Sequence, residues 1–216
     1  MLAMKTSPIT SKKVLTLVFV FGNVDGERRV LLGMKKRGFG AGYWNGYCPA
    51  SSSLPYLDLL MSTFCNGFRR FDNRFGGKVE KGETILEGAV RELEEEAGIR
   101  VSDLDRAGML WFHFDGDPTG LEVHVYRGEA FEGVVTETEE MRPEWFSLDK
   151  IPFHIMWPDD QIWWPVFVGN KKFCGRFRFA KDQKEILAHD VGIFESLPCE
   201  MEFGNGEWVG GVLVEQ

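Results

Sequence analysis

Residues 77–99 read GKVEKGETILEGAVRELEEEAGI, and the rest of the chain can be interpreted around this stretch. Thr84 is followed three residues later by Glu87, which is the spacing of a capping box at the start of a helix. Gly98 stands where a left-handed residue commonly ends a helix. The sequence therefore predicts a helix from about residue 85 to residue 97.

The predicted helix has one apolar face with an acidic border. At about 100° per residue, its apolar side chains form a continuous arc that we expect to pack against the domain, namely Ile85, Leu86, Ala89, Val90, Leu93 and Ala97. Glu92 and Glu96 are one turn apart at the border of this arc, and Glu95 lies on the neighbouring polar side. The carboxylates should therefore line the seam between the helix and the domain.

Carboxylates clustered at such a seam indicate a metal site. Like charges repel unless a cation lies among them, and oxygen ligands suit a hard cation such as Mg²⁺ or Mn²⁺. Arg91 and Glu83 would complete the cluster, because a guanidinium can hold several carboxylates through two-pronged hydrogen bonds. Gly88 costs about 1 kcal/mol relative to alanine in mid-helix, which indicates a close backbone approach there. Taken alone, RELEEE favours an acidic, solvated helix face instead.

Composition excludes several classes of function. With 216 residues, 44% of them hydrophobic, the chain is long enough for one well-buried domain and short for two. A net charge of −8 argues against nucleic-acid binding and favours a small anionic ligand bound through a metal. Residues 14–21 are apolar but too few to span a membrane. We therefore expect a monomer that binds a small anionic ligand, with neither a nucleic-acid nor a membrane partner.

The four cysteines show neither a disulfide framework nor zinc-finger spacing, which indicates a reducing compartment. We expect a cytoplasmic protein, with mitochondrial or nuclear fractions as alternatives. The first thirteen residues contain no arginine, so they give only a weak indication of a mitochondrial presequence.

The remaining pattern predicts strands and one further helix. Strands are predicted at residues 14–21, 29–35, 108–114, 121–128, 144–148 and 173–179. Trp157-Pro158-Asp159-Asp160 should open an aromatic helix that runs towards Val168. Beyond about His189 the chain becomes glycine-rich, and we expect irregular structure there. Mixed strands with two helices predict an α+β fold, an α/β/α sandwich with a mixed sheet between the helices.

The full spacing of the opening stretch resembles the Nudix box. It consists of a glycine, five residues, Glu83, seven residues, Arg91-Glu92, Leu93, one residue, Glu95-Glu96, one residue, Gly98 and Ile99. Further motifs resemble, in the same order, the vertebrate oxidised purine nucleoside triphosphatases, the MutT homologues of the Nudix hydrolase superfamily. They are LLGMKKRGFGAG from Leu31, Trp44-Asn45-Gly46, Phe75-Gly-Gly-Lys-Val79, Glu122-Val123-His124, Glu140-Met-Arg-Pro143 and Met156-Trp-Pro-Asp-Asp160.

This resemblance implies a Nudix fold and a Mg²⁺-dependent hydrolase, with Mn²⁺ as an alternative cation. The implied reaction converts oxidised purine nucleoside triphosphates, such as 8-oxo-dGTP and 2-hydroxy-dATP, to the monophosphate and pyrophosphate, and so sanitises the nucleotide pool and prevents DNA damage. The metal ligands implied by position are the Gly76 carbonyl, Glu92, Glu96 and Glu140, with Glu95 supporting the metal or acting on water. Glu83 and Arg91 complete the implied catalytic set, and the choice of general base among the carboxylates stays open.

The resemblance assigns base recognition to Asn45, Asp159 and Asp160, with Trp157 stacking on the base. The other pocket residues that it implies are Thr16, Lys35, Phe39, Phe112 and Phe114. Two adjacent aspartates in a dry pocket form a coupled titrating pair, in which one proton provides a donor beside an acceptor. One pocket would then accept both oxidised guanine and oxidised adenine. Without the resemblance, the acids would simply open a helix at its positive N-terminal end.

Two segments depart from the family pattern. In the family, Trp-Asn-Gly leads directly into Phe-Gly-Gly-Lys-Val, whereas residues 47–74 separate these motifs here. The sequence after about His189 differs from the family's short terminal strand. We therefore divide the chain into an N-terminal tail (1–13), a Nudix domain (14–188) with an inserted loop (47–74), and a divergent C-terminal tail (189–216).

The insertion lies between Asn45 and the metal site, where a small displacement is costly for catalysis. Two alternatives to the implied reaction stay open. One is an impaired protein that still binds nucleotide or metal. The other is a Nudix enzyme with a different substrate, such as a dinucleoside polyphosphate or a capped RNA.

Overall fold

The computed structural model describes residues 9–36, 75–76, 78–199 and 212–213. Within them the chain forms ten strands and two α-helices. In chain order these are β1 (Ser11–Val24), β2 (Glu27–Lys35), α1 (Ile85–Ala97), β3 (Ile99–Val101), β4 (Asp105–Phe114), β5 (Thr119–Gly128), β6 (Phe131–Gly133), β7 (Met141–Ser147), α2 (Asp160–Val168), β8 (Lys172–Phe179), β9 (Ile186–Phe194) and β10 (Val212–Leu213). The inserted segment 47–74 lies outside the described residues.

Eight of the strands form one mixed sheet in the order β10-β9-β8-β4-β5-β1-β2-β7. The pairs β1/β5 and β4/β8 are parallel, and the other neighbours are antiparallel. β3 and β6 form a separate two-stranded ribbon. The prediction of a mixed sheet is confirmed.

The two helices cover opposite faces of this sheet, as the residues of β1 show. Leu17 and Phe19 belong to the core cluster that includes Trp163 of α2. Val18 and Val20 belong to the cluster that includes Leu93 of α1. Because successive strand residues point to opposite faces, β1 contributes to both cores. The α/β/α sandwich is therefore confirmed.

Aromatic packing fixes α2 on its face of the sheet. The Trp163 ring stacks on Phe173 with centroids 5.5 Å apart, and it meets Phe19 edge-on at 5.8 Å. All three side chains are almost completely buried. Since full burial of one such side chain contributes about 1.5 to 3 kcal/mol, α2 is held firmly in position.

One edge of β1 pairs with β5, and two segments share the other edge. β2 pairs with β1 only from Val20↔Leu31 to the turn, and Phe75 and Lys78 pair with the first half of β1 instead. The Val18 N–H donates to the Phe75 carbonyl at 2.7 Å. Phe75 and Lys78 therefore lie beside β1 within the sheet, a few residues before α1.

Three details differ from the sequence predictions. β1 begins at Ser11, within the predicted tail, since Lys12 pairs with the buried Glu122 at 2.9 Å and polar residues can extend the strand. The prediction of irregular structure beyond His189 is wrong, because β9 continues to Phe194 through its pairing with β8. Leu86 is exposed rather than packed, since the helical period gives its direction but not what lies opposite it.

Within the part of the chain that the structure describes, no helix is long and apolar enough to cross a membrane.

Candidate active site

Both ends of α1 are fixed by the groups that the sequence predicts. The Thr84 hydroxyl accepts the Glu87 N–H at 3.2 Å, and the Glu87 carboxylate accepts the Thr84 N–H at 2.7 Å. Gly98 adopts the left-handed conformation with φ 70°. The predicted capping box and the predicted bounds of the helix are confirmed. Fixed ends set the direction in which each glutamate of the helix points.

Arg91 gathers three carboxylates around one guanidinium. Its Nε and Nη2 donate to both oxygens of Glu83, at 3.1 and 2.8 Å. Its Nη1 donates to Glu92 at 3.0 Å and to Glu95 at 3.2 Å. The predicted two-pronged bonding by Arg91 is therefore confirmed.

The Arg91–Glu83 pair remains ionised over a wide range of pH. Hydrogen bonds from Arg91 and then from the Glu80 N–H lower the pKa of Glu83 to about 2. The hydrogen bonds to Glu83 in turn raise the pKa of Arg91. A carboxyl with a lowered pKa stabilises the fold above its unfolded pKa and loses that contribution as the pH falls towards its folded pKa. The Glu83 carboxylate is therefore ionised at neutral pH, and the stability that its pairing contributes declines as the pH falls from about 4 towards about 2.

Gly88 leaves room for this network. A Cβ atom at Gly88 would lie 2.9 Å from Glu83 Oε1 and 3.6 Å from the Cα of Val79. The close neighbour is thus the Glu83 side chain rather than backbone. Any larger residue at position 88 would push Glu83 away from Arg91.

Glu96 forms a second, buried part of the site. Only 6% of the residue is exposed, and its Oε2 accepts the Gly76 N–H at 3.0 Å. Gly76 has φ 135°, and a Cβ atom there would overlap the carbonyl oxygen of Thr16. The structure thus brings Gly76 and Glu96 together, and only glycine fits at position 76.

Substitution of Gly76 by alanine is expected to destabilise the fold by about 2 to 5 kcal/mol, because it adds a steric overlap to an unfavourable φ. Chemical denaturation would measure this change. Gly116→Ala is the matched control, since Gly116 has φ 86° and, in the described part of the chain, nothing lies within 4 Å of where its Cβ would be. The control should cost only about 1 to 2 kcal/mol. Equal losses in the two variants would show that the overlap with Thr16 is unimportant.

Glu140 reaches the end of α1 through its main chain. The Glu140 N–H donates to the Thr138 hydroxyl at 3.3 Å, and this hydroxyl lies 3.4 Å from the Glu96 carbonyl oxygen. The Glu140 residue itself is exposed. A residue far along the chain is therefore linked, through Thr138, to the main chain of Glu96 in the last turn of α1.

The chemistry of these donors fits a hard cation. Carboxylate and carbonyl oxygens are the ligands that Mg²⁺ prefers, and the helix supplies Glu92, Glu95 and Glu96 within two turns. In residues 9–36, 75–76, 78–199 and 212–213, no three His, Cys, Asp or Glu side chains are already gathered around one point as a metal site. Glu92 and Glu95 instead bind Arg91, and Glu96 binds the Gly76 N–H. These glutamates, the Gly76 carbonyl and Glu140 are the groups predicted to hold Mg²⁺.

Two adjacent carboxyls are buried on the opposite side of the sheet. Asp159 is 1% exposed and Asp160 is 0% exposed, at the start of α2. Asp159 Oδ2 accepts the indole N–H of Trp163 at 2.9 Å, and its side chain makes no capping hydrogen bond to α2. Asp159 therefore does more than open the helix, because its carboxyl group bonds within the aromatic core.

Three predicted pocket aromatics gather around one further ring. Phe114 stacks on Phe179 with centroids 5.3 Å apart, Phe112 lies 6.0 Å from Phe179, and Trp157 meets it edge-on at 6.0 Å. All four belong to the core cluster on the α2 face. Phe112, Phe114 and Trp157 are thus brought together beside α2.

The remaining predicted pocket residues lie elsewhere. By strand alternation, Thr16 points to the α1 face with Val18, and Lys35 points to the same face as Leu31. Phe39 and Asn45 lie outside the described residues. The predicted substrate set is therefore divided between the two faces of the sheet.

Sequence reasoning does not identify several residues that support the site. The sequence indicates Trp163 as core or pocket wall, yet its indole N–H binds Asp159 four residues earlier, a helical spacing that could have indicated the contact. Phe179 gives no local signal, because its contact with Phe114 follows from the β4–β8 register.

Arg127 of β5 donates to the Phe167 carbonyl and to Asn170 at the end of α2. A cation there is favourable, since α2 has no basic residue in its own last turn.

Comparison with known proteins agrees with this geometry. The NUDIX domain family model matches residues 15–165. The chain is 43% identical over 183 residues to a mouse protein named oxidized purine nucleoside triphosphate hydrolase, covering 85% of this chain and 96% of that protein. A zebrafish protein of the same name is 41% identical over 187 residues, covering 87% and 99%.

A solved structure supports the fold in the same way. The crystal structure of a MutT protein from Bacillus halodurans superimposes with a TM-score of 0.59 at 23% identity, covering 83% of this chain and 97% of that one. A likeness at this level of identity concerns the fold alone. The match of the family model over most of the chain, with two relatives more than 40% identical, shows that the chain belongs to the Nudix family.

Proposed function

We propose that the protein hydrolyses oxidised purine nucleoside triphosphates, such as 8-oxo-dGTP and 2-hydroxy-dATP, to the monophosphate and pyrophosphate in a Mg²⁺-dependent reaction. Helix α1, which carries the Nudix-box glutamates, supports a hydrolase of the Nudix family but does not indicate which base the nucleotide carries. The observation that carries the choice of substrate is the buried pair Asp159 and Asp160 beside the aromatic cluster. The names of the mouse and zebrafish relatives support the same substrate class.

On the α1 face, Glu92, Glu96, Glu140 and the Gly76 carbonyl would hold the cation, with Glu95 at their side. When bound there, Mg²⁺ would neutralise the negative charge on the phosphate oxygens as the phosphoanhydride bond breaks. Arg91 holds Glu83, Glu92 and Glu95 in orientation through its hydrogen bonds, and one carboxylate orients or deprotonates the attacking water. Lys35 shares this face, so we assign it and Thr16 to the phosphate and sugar rather than to the base.

On the α2 face, the aspartate pair and Trp157 would recognise the oxidised base. The Trp163 N–H occupies one oxygen of Asp159, which fixes the orientation of that carboxyl group. One proton shared between the two aspartates would provide a donor and an acceptor to either oxidised purine. Asn45 and Phe39 belong to the same proposal, and so do a monomeric state and a cytoplasmic location.

Pyrophosphate release from matched nucleotide pairs tests this function. With Mg²⁺ present, kcat/KM should be about 10- to 100-fold higher for 8-oxo-dGTP than for dGTP, and likewise for 2-hydroxy-dATP over dATP. Chelation of the cation should abolish release. Faster cleavage of a dinucleoside polyphosphate or a capped RNA than of any oxidised triphosphate would contradict the proposed substrate.

A further inference from the structure

The segment between β6 and β7 is tied to the C-terminal end of α1. The Thr136 N–H donates to the Ala97 carbonyl at 2.9 Å. Two residues later, the Thr138 hydroxyl lies 3.4 Å from the Glu96 carbonyl oxygen, within range to donate a hydrogen bond. The segment that carries Glu140 thus follows the last turn of α1.

The Thr138 hydroxyl contacts two residues of the proposed metal site at once. As an acceptor, it receives the N–H of Met141 at 3.0 Å and the N–H of Glu140 at 3.3 Å. As a donor, it faces the Glu96 carbonyl at 3.4 Å and the Met141 carbonyl at 3.5 Å. The Thr138 N–H closes the turn onto the Met141 carbonyl at 2.9 Å. One hydroxyl group therefore connects the main chains of Glu96 and Glu140.

Lys36 supports the same turn from the end of β2. Its N–H donates to the Glu140 carbonyl at 2.7 Å, and its ammonium group donates to the Thr138 carbonyl at 2.8 Å. The ammonium group also pairs with Glu137 at 2.8 Å. The main chain of Glu140 is therefore held on both its N–H and its carbonyl side.

We infer that Thr138 is a positioning residue, which sets the separation of Glu96 and Glu140 and thereby the affinity of the site for its divalent cation. This inference rests on the proposed metal site. Two carboxylates repel each other without a cation, so holding their main chains in place removes part of the cost of bringing them together. Loss of such a supporting group commonly weakens metal binding by about 10- to 100-fold.

The test is a titration of the full chain with Mn²⁺ alone, followed by electron paramagnetic resonance, with Mg²⁺ as competitor and no nucleotide present. Thr138→Val removes the hydroxyl and keeps the shape, and it should weaken cation binding about 10- to 100-fold. Thr138→Ser keeps the hydroxyl and should bind within about threefold of the native protein, whereas Thr138→Ala should resemble the valine variant. If the hydroxyl acts only by positioning, kcat at saturating Mg²⁺ should change by a smaller factor than the Mg²⁺ concentration needed for half-maximal activity.

Thr136→Val is the matched control. The Thr136 hydroxyl donates within its own segment, to the Val134 carbonyl at 2.7 Å, while its main-chain bond to Ala97 would remain. This variant should bind Mn²⁺ as the native protein does. Native affinity in Thr138→Val, an equal loss in Thr136→Val, or weak binding by Thr138→Ser would each overturn the inference.

The titration separates this inference from the proposed function. A native protein that binds the cation but does not hydrolyse oxidised triphosphates would contradict the proposed function. The Mn²⁺ affinities of the Thr138 variants would still decide the role of Thr138. A native protein that hydrolyses them while Thr138→Val retains full affinity would overturn only the role of Thr138. Absence of cation binding by the native protein would overturn both.

Discussion

Replacing Glu96 with glutamine is expected to lower kcat for 8-oxo-dGTP by about 10²- to 10³-fold at saturating Mg²⁺, the usual effect of removing one group that stabilises the transition state. Glutamine keeps the size of the side chain and can still accept the Gly76 N–H, so the fold should persist. It lacks the negative charge that would hold the cation. Pyrophosphate release and thermal unfolding, measured on the same preparation, distinguish lost chemistry from lost structure.

Glu94→Gln is the matched control for this substitution. Glu94 lies on the same helix but is exposed, and its carboxylate is 3.9 Å from Arg100. An exposed ion pair of this kind contributes little, so activity should remain within about twofold of the native value. Near-native activity of Glu96→Gln would exclude Glu96 as a metal ligand.

Substitution of Asp159 by alanine should abolish most of the preference for oxidised over normal purines. We expect the ratio of kcat/KM between 8-oxo-dGTP and dGTP to fall about 10- to 100-fold, because a site built to bond a polar group loses discrimination when that group is removed. The cause would be the loss of one member of the buried pair, together with the acceptor for the Trp163 N–H. Competition between the two nucleotides in one reaction measures the ratio directly.

Asp159→Asn refines this experiment, because asparagine can still accept from Trp163 but cannot ionise. If a shared proton is needed, the asparagine variant should lose the preference as the alanine variant does. Asp182→Ala serves as the control, since Asp182 is exposed and accepts the Lys184 N–H, at 3.0 Å, in a turn. An unchanged preference in Asp159→Ala would refute the role of this residue in base recognition.

The elements of the fold that depend on neighbouring residues were predictable. The capping box at Thr84 and the glycine at position 98 predicted both ends of α1, and the structure confirms them. The start of α2 after Trp157-Pro158 was predicted on the same local grounds. Capping and helical period act over only a few residues, so the sequence contains all of that information.

Burial and register were not predictable in the same way. Leu86 and Ala89 belong to the same predicted apolar arc, yet Leu86 is 45% exposed and Ala89 is fully buried. The extension of β9 to Phe194 depends on its pairing with β8 rather than on its own composition. Whether a side chain is covered depends on which distant element packs over it.

The sequence by itself determined that one helix carries Arg91 and its glutamates in a fixed angular arrangement, since the helical period alone sets their spacing. Only the tertiary structure decided which groups meet them. It placed Glu96 against the Gly76 N–H, Thr138 between Glu96 and Glu140, and Phe179 beside Phe114. Apart from the local contact of Thr138 with Glu140, these contacts join residues far apart in the chain, so they follow from strand pairing and layer packing rather than from local sequence.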